Sequence, residues 1–183
     1  MRVRENVGIA VACVAVLWAV YFIDLILPVD LRGFGIRPRT VHGLFGVIAS
    51  PFLHSSFRHL LSNSIALVAL LSISLIYSRK LTVEVVAMSI LVGGGAVWLL
   101  GGRNSVHIGS SGVIFGLIGY LLTIGMFRRE ILALVVSCLV FFYYGWVLYS
   151  LFVVFPGISW SGHFFGFLSG VLAAWSTRSE ATN

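Results

Sequence analysis

Charged side chains are scarce in this sequence, and acidic ones scarcest of all. Only 10% of the 183 residues are charged, and Asp and Glu together number 6. A soluble domain carries about a quarter of its residues as charged side chains. With 59% apolar residues, the chain cannot cover a water-facing surface of this size with polar groups. The composition therefore excludes a soluble globular protein and a disordered one, and it indicates a polytopic membrane protein.

Cysteine is equally rare, and basic residues are not concentrated in any one region. Cys13 and Cys138 both lie inside apolar runs, so we expect two free thiols and no disulfide framework. The 12 Lys and Arg give a net charge of +6, but they occur in small groups between apolar stretches. A nucleic-acid partner is not expected, because it would require a basic face or tail. The first apolar stretch lacks a signal-peptide cleavage site and is predicted to be an uncleaved span.

Six apolar stretches have the length of a spanning helix, which is about 20 residues. We predict a single all-α membrane domain over residues 1–183, a bundle of six transmembrane helices. The linker between the first two helices, Val29 to Ser50, contains four glycines and three arginines, so short helices at the membrane surface are expected there. The predicted spans are about 7–27, 57–77, 81–100, 111–127, 131–155 and 161–176.

Six spans put both termini on one side of the membrane, and the Lys/Arg distribution selects that side. With the N-terminus inside, the inner segments hold seven Lys and Arg and the outer segments hold five. The inner charges abut helix ends, at Arg79–Lys80 and at Arg128–Arg129. We therefore predict cytoplasmic termini, with the second, fourth and sixth helices starting on the outer side. A core without an obvious targeting extension suits a prokaryotic cell membrane.

The fourth predicted helix is short. From Ser111 to Phe127 it rises about 25 Å, whereas the apolar layer of a bilayer is about 30 Å thick. If Arg128 and Arg129 hold its lower end at the inner surface, Ser111 lies below the outer surface. The loop before Ser111 must then be shielded by protein or face water.

Polar groups at membrane depth are costly and generally functional, and four of them matter here. His59 and Asn63 are four residues apart and share one face of the second helix. Ser111 begins the fourth helix and His163 lies near the start of the sixth. Because all three helix starts are predicted on the outer side, one pocket can collect all four side chains.

Such a pocket has the groups needed for acyl transfer. A serine hydroxyl becomes a nucleophile when an imidazole takes its proton, and the resulting oxyanion needs hydrogen-bond donors. Asn63, His59 and the backbone amide of Ser111 at a helix N-terminus offer such donors. No carboxylate is evident to orient His163; the nearest outer acid, Asp24, is interpreted as an interfacial charge.

Glycines surround the serine and follow the histidine. Small residues at helical spacing let two helix backbones approach closely, which would bring His163 to Ser111. The same glycines would also pack helices in a protein without chemistry. They are Gly109, Gly112, Gly116 and Gly119 around and after Ser111, and Gly166 and Gly170 after His163.

These residues together resemble the motifs of the rhomboid intramembrane serine proteases. Gly109–Gly112 resembles their Gly-x-Ser-Gly, with Ser110 at its variable position. His59–Asn63 resembles their His-x-x-x-Asn, and His163–Gly170 resembles their His-x-x-Gly-x-x-x-Gly. The order of the motifs and the six-helix count agree with the family over nearly the whole chain.

The resemblance implies a catalytic dyad without metal or cofactor. Ser111 would be the nucleophile and His163 the general base, with His59, Asn63 and the Ser111 amide at the oxyanion.

Two further positions match the family. His54 matches a frequent histidine that we interpret as lining or supporting the cavity, and Phe115 matches an aromatic residue that packs against the catalytic histidine. The first loop departs from the family pattern, since Arg37-Pro38-Arg39 stands where a Trp-Arg pair is common.

The resemblance also implies the substrate class, which is a transmembrane helix of another protein, cut near its outer end within the lipid bilayer. The substrate helix must unwind locally, so Gly and Ser near the cleaved bond are expected. We hypothesise that the aromatic face of the fifth helix forms a mobile gate for this substrate; lipid-facing packing is the alternative. Its aromatic residues are Phe141, Phe142, Tyr143, Tyr144, Trp146, Tyr149, Phe152 and Phe155.

Three other functions remain open. One is a non-catalytic relative that only binds transmembrane helices. Another is a haem-binding bundle with His59 and His163 as axial ligands, and a third is a small transporter built on the short fourth helix. A soluble-type serine hydrolase is excluded, because Ser111 is not in a Gly-x-Ser-x-Gly motif. The sequence leaves the physiological substrate and the oligomeric state undefined.

Overall fold

The regular secondary structure is helical in the part of the chain that the computed structural model describes, residues 2–153 and 159–177. An isolated bridge between Ile36 and His107 is the one β-type pairing in these residues, and the predicted all-helical class is confirmed. The α-helices are α1 Arg2–Ile26, α2 Val41–Ala49, α3 Phe57–Tyr77, α4 Arg79–Met88, α5 Gly94–Leu100, α6 Ser111–Arg128, α7 Ile131–Tyr144 and α8 Trp160–Ser176.

Five helical stretches in the described residues are long and apolar enough to cross a membrane. The last helix, α8, has 17 residues and is shorter than each of these five, so the count of six spans stays a prediction. The predicted end of the fifth span, at Phe155 before Pro156 and Gly157, lies outside the described residues, as does the tail from Arg178. The five stretches are Arg2–Ile26, Phe57–Tyr77, Arg79–Leu100, Ser111–Arg128 and Ile131–Leu151.

Two of these stretches change their helical type along their length. A π-helical turn, Ser89–Gly93, joins α4 to α5, and a 3₁₀ turn, Gly145–Leu151, continues α7. The Ser89 hydroxyl donates to the carbonyl of Val85 at 2.7 Å, a side-chain bond that competes with the regular helical ladder. A Cβ at Gly93 would lie only 3.2 Å from the carbonyl oxygen of Phe165. The π turn therefore packs directly against α8.

The segment between α1 and α3 contains α2 and two 3₁₀ turns, Leu31–Phe34 and Ser50–Phe52. Thr40 caps α2 by accepting a hydrogen bond from the Gly43 amide at 3.0 Å. Arg39 donates from its guanidinium to the carbonyls of Leu99 and Gly101, at 2.7 and 2.8 Å. The loop is thereby tied to the C-terminus of α5. Its location at the membrane surface stays a prediction.

Helix α6 is the centre of the bundle. A helix that is apolar on all sides is buried on all sides, and five of its side chains are fully buried. It packs most extensively against α8, then against α7 and then against α3, which itself packs against α1. The first residue of α6, Ser111, therefore lies at one end of the bundle's central helix. The fully buried side chains are Leu117, Ile118, Tyr120, Leu121 and Ile124.

A polar network lies at the opposite end of α3 and α6 from His59 and Ser111. Arg79 donates to the Asn6 side chain at 2.6 Å, and Arg128 pairs with Glu130 at 2.8 Å. The hydrogen bond from Arg128 lowers the pKa of the Glu130 carboxyl. Polar groups thus mark one end of the bundle, while which end faces the cytoplasm stays a prediction.

Candidate active site

The loop that leads into α6 depends on one glycine. Gly109 has φ +106°, a backbone conformation that residues other than glycine rarely adopt. Its amide donates to the carbonyl of Ser50 at 2.8 Å, which fastens the loop to the end of α2. The turn places Ser111 as the first residue of α6, half-buried, directly after the buried Ser110.

The N-terminus of α6 is left without a side-chain cap. Thr40, Ser56 and Ser159 each accept a backbone amide of the helix that they precede. Ser110 stands in the same position before α6 but makes no such bond; its hydroxyl lies 3.5 Å from the His54 ring. The first amides of an α-helix have no partner within the helix. In α6 they remain available to a negatively charged group, which the helix dipole also favours.

His59 and Asn63 face the same loop from α3. A Cβ on Gly109 would lie 2.7 Å from Cε1 and 2.8 Å from Nε2 of His59, and 3.4 Å from Nδ2 of Asn63. A side chain at position 109 would therefore displace the His59 ring. The other ring nitrogen of His59, Nδ1, lies 3.2 Å from the Ser55 hydroxyl. Both side chains thus border the turn that precedes Ser111.

His54 lies behind Asn63. The Asn63 amide donates to Nε2 of His54 at 3.2 Å, so this nitrogen carries no proton. His54 is 2% exposed. Burial, with a smaller effect from the charge of nearby His59, lowers the pKa of His54 to about 4. A neutral His54 is an acceptor that holds the Asn63 amide, and its role in supporting the site stays a prediction.

Glycine contacts bring α8 against α6. A Cβ on Gly166 would lie 3.0 Å from the carbonyl carbon of Gly112, and its carbonyl oxygen is closer still. A Cβ on Gly170 would lie 2.8 Å from the Tyr120 nitrogen and would also collide with the backbone of Gly116. Only hydrogen fits at these positions. The backbones of the two helices are therefore in direct contact one turn after His163.

His163 is held against α6 by an aromatic stack. Its ring lies 4.0 Å from the Phe115 ring, at an interplanar angle of 16°, and the residue is 8% exposed. Among the described residues, the His163 ring makes no hydrogen bond to the Ser111 hydroxyl. Such bonds commonly tighten only when substrate binds. A cavity of about 40 Å³ beside Ser111 has room for water.

The partner of the second His163 nitrogen is a residue that sequence reasoning missed. Nδ1 lies 3.3 Å from the hydroxyl of Ser150, in the 3₁₀ turn after α7. No helical spacing in the sequence points to Ser150, because the contact is tertiary. Asp24 is bound elsewhere, since it accepts the Leu31 amide at 2.7 Å and pairs with Arg32 at 4.0 Å.

His107 was missed as well. Its ring bridges Ser105 and Ser159, at 2.7 and 2.6 Å, and its backbone pairs with Ile36. Burial lowers the pKa of His107, which favours the neutral ring. Ser159 is the N-cap of α8. His107 therefore ties the start of the helix that carries His163 to the loop before Ser111.

Comparison with known proteins finds one family match and several relatives. The family model of the rhomboid domain matches residues 41–180. An uncharacterized protein of Mycobacterium tuberculosis is 37% identical over 170 residues, which is 88% of this chain and 71% of that protein. An uncharacterized protein of Mycobacterium leprae is 36% identical over 184 residues, or 95% of this chain and 73% of that protein. No solved structure is a significant match.

Proposed function

Since this chain belongs to the rhomboid family, we propose that it is an intramembrane serine endopeptidase with Ser111 and His163 as its catalytic dyad. Family membership and five apolar helices make the protein a multi-pass membrane protein. One observation carries the dyad proposal. The glycine contact between α6 and α8 sets the two helices that bear Ser111 and His163 backbone to backbone.

The proposed reaction has two halves. Ser111 Oγ attacks the carbonyl carbon of the substrate peptide bond while His163 accepts the hydroxyl proton. The tetrahedral intermediate then breaks its C–N bond, and His163 returns the proton to the leaving amine. In the second half, His163 takes a proton from water as the water attacks the acyl-enzyme. His163 then passes that proton to Ser111 Oγ as the acyl C–O bond breaks, which releases the new carboxyl end and restores the Ser111 hydroxyl.

The oxyanion of each intermediate needs donors that are already in position. The uncapped amides at the start of α6 are one such source, beginning with Ser111 itself. Asn63 uses one amide hydrogen on His54 and keeps the second for the oxyanion. His59 borders the same turn and is proposed as a further donor.

The proposed substrate is a transmembrane helix of another membrane protein. A hydrogen-bonded helix shields its peptide bonds, so the segment to be cut must unwind at the site. We propose that the site opens to the outer side of a prokaryotic cell membrane with both termini in the cytoplasm. The seven-to-five distribution of basic residues supports that orientation.

The test is cleavage by the purified protein, in liposomes with a chelator present, of a model substrate with a Gly- and Ser-containing transmembrane helix. We expect cleavage by the parent and its loss in Ser111→Ala and in His163→Ala. A matched control is Ser176→Ala, a serine in the last turn of α8, which should cleave like the parent.

Two outcomes would contradict the proposal. Cleavage that survives in folded Ser111→Ala would assign the nucleophile elsewhere. A folded parent that binds the substrate helix without cutting it, and whose Ser111 does not react with a fluorophosphonate, would favour a helix-binding protein instead.

A further inference from the structure

The hydrogen bonds of Ser150 determine which His163 nitrogen carries a proton. A hydroxyl has one hydrogen to donate, and Ser150 Oγ donates it to the carbonyl of Val147 at 2.8 Å. The contact from Ser150 Oγ to His163 Nδ1, at 3.3 Å, must then be donated by the ring. Nδ1 therefore carries the hydrogen, and Nε2 keeps its lone pair.

We propose that Ser150 is a positioning residue that holds His163 in the Nδ1–H tautomer, with Nε2 as the base for Ser111. This inference rests on the proposed dyad and goes beyond it. In serine hydrolases with a triad, a carboxylate does this work by accepting the Nδ1–H bond. Here a neutral hydroxyl, aligned by a backbone carbonyl, takes that position.

The surroundings of His163 leave this function to Ser150. The acid that the sequence offered, Asp24, is occupied by Leu31 and Arg32. The described residues supply no carboxylate bond to the His163 ring. Phe115 stacks on a face of the ring and restricts its tilt, but a stacked ring cannot select a tautomer. Ser150 contacts a ring nitrogen directly, and a hydrogen bond at that nitrogen can select the tautomer.

A second hydrogen bond holds Ser150 in place. The Trp160 indole donates to the carbonyl of Leu151 at 2.7 Å, and Trp160 itself stacks on Phe164 at 5.0 Å. The 3₁₀ turn that contains Ser150 is thus attached to the first turn of α8, the helix that carries His163. The two contacts keep the serine and the histidine in one local unit.

The direct test is ¹⁵N NMR of the histidine-labelled protein at a pH where His163 is neutral. The His163→Asn variant identifies the resonances of this ring. We expect the Nδ1–H tautomer in the parent and in Ser150→Thr, which keeps the hydroxyl. In Ser150→Ala we expect a mixture of both tautomers. Nδ1–H that remains fully populated in Ser150→Ala would overturn the proposal.

Ser176→Ala is a matched control. Ser176 also donates to the carbonyl three residues earlier, Ala173, at the same 2.8 Å, but it has no histidine partner. Its removal should leave the His163 tautomer unchanged. The same tautomer change in Ser176→Ala would mean that a general loosening of the bundle, not the Ser150 contact, is responsible.

Kinetics provide the second measurement. Loss of one neutral hydrogen bond should lower kcat by about 5- to 10-fold in Ser150→Ala, with KM unchanged and with recovery in Ser150→Thr. A KM increase at constant kcat would instead assign Ser150 to substrate binding and contradict the proposal. The NMR measurement needs no substrate. A parent that shows the tautomer but neither cleaves nor reacts with a fluorophosphonate would therefore refute the protease and leave the tautomer assignment standing.

Discussion

Replacing Gly166 by alanine tests the helix contact on which the dyad depends. The added methyl would lie 3.0 Å from the Gly112 carbonyl carbon and 3.1 Å from its Cα, with the carbonyl oxygen nearer still. All of these are backbone atoms, so no side chain can rotate away. The two helices must therefore move apart, which increases the distance between His163 on α8 and Ser111 on α6.

The size of the effect follows from these distances. Carbon atoms at rest are about 3.5–4.0 Å apart, so the helices must move by roughly 1 Å once the closer oxygen is included. A displacement of that size in a catalytic site costs about 100-fold in rate. Overpacking of this kind lowers the free energy of unfolding by about 1–3 kcal/mol. The higher helix propensity of alanine offsets about 1 kcal/mol of that loss.

The assay is kcat/KM on the model transmembrane substrate, together with thermal unfolding in the same detergent. Gly95→Ala is the control, because a Cβ at Gly95 meets nothing within 4 Å. We expect Gly95→Ala to keep its activity and to unfold at the same or a higher temperature. Gly166→Ala with activity within twofold of the parent would refute the reasoning.

Three other predictions address the supports of the site. His54 has a pKa of about 4 in the fold and about 6.5 unfolded, so it stabilises the protein fully above pH 6.5 and less as the pH falls toward 4. Between pH 8 and pH 5 the free energy of unfolding should fall by about 2 kcal/mol on this account. In His54→Asn it should fall by correspondingly less, and an equal fall in the variant and the parent would contradict the prediction. His107→Ala, which loses hydrogen bonds to Ser105 and Ser159, should lower stability by about 1–3 kcal/mol, and an equal melting temperature would show that the bridge contributes nothing. Phe142 and Trp146 are 80% and 77% exposed. If they belong to a gate, Phe142→Ala and Trp146→Ala should change the turnover of the membrane substrate, and unaltered kinetics in both variants would contradict the gate hypothesis.

Much of the fold follows from hydropathy, since a spanning segment must satisfy its backbone internally as a helix. The structure begins its central helix at Ser111 and bounds α3 at Phe57–Tyr77, where the sequence places them. It extends the first helix back to Arg2. The π turn at Ser89–Gly93 and the 3₁₀ turn at Gly145–Leu151 were not predicted. Glycines stand at both changes, at Gly93–Gly95 and at Gly145. Glycine is frequent inside transmembrane helices, so it does not by itself predict a change of helical type.

The site divides in the same way. His59, Asn63, Ser111 and His163 could be selected because polar groups at membrane depth stand out in an apolar chain. Ser150 and His107 did not stand out in this way. Ser150 falls inside the predicted fifth span, but serine is common in membrane helices, and His107 falls in a predicted loop, where polar residues are expected. Their contacts depend on residues 13 and 52 positions away. The catalytic roles of the selected residues remain predictions until they are tested.

The most direct test of the central claim is the position of a covalent adduct. The purified protein would be treated with a fluorophosphonate and digested, and the modified peptide would be sequenced by mass spectrometry. The dyad predicts one adduct, on Ser111, that disappears in His163→Ala and persists in Ser176→Ala. An adduct on the neighbouring Ser110, or a folded protein that reacts nowhere, would contradict the assignment of Ser111 as the nucleophile.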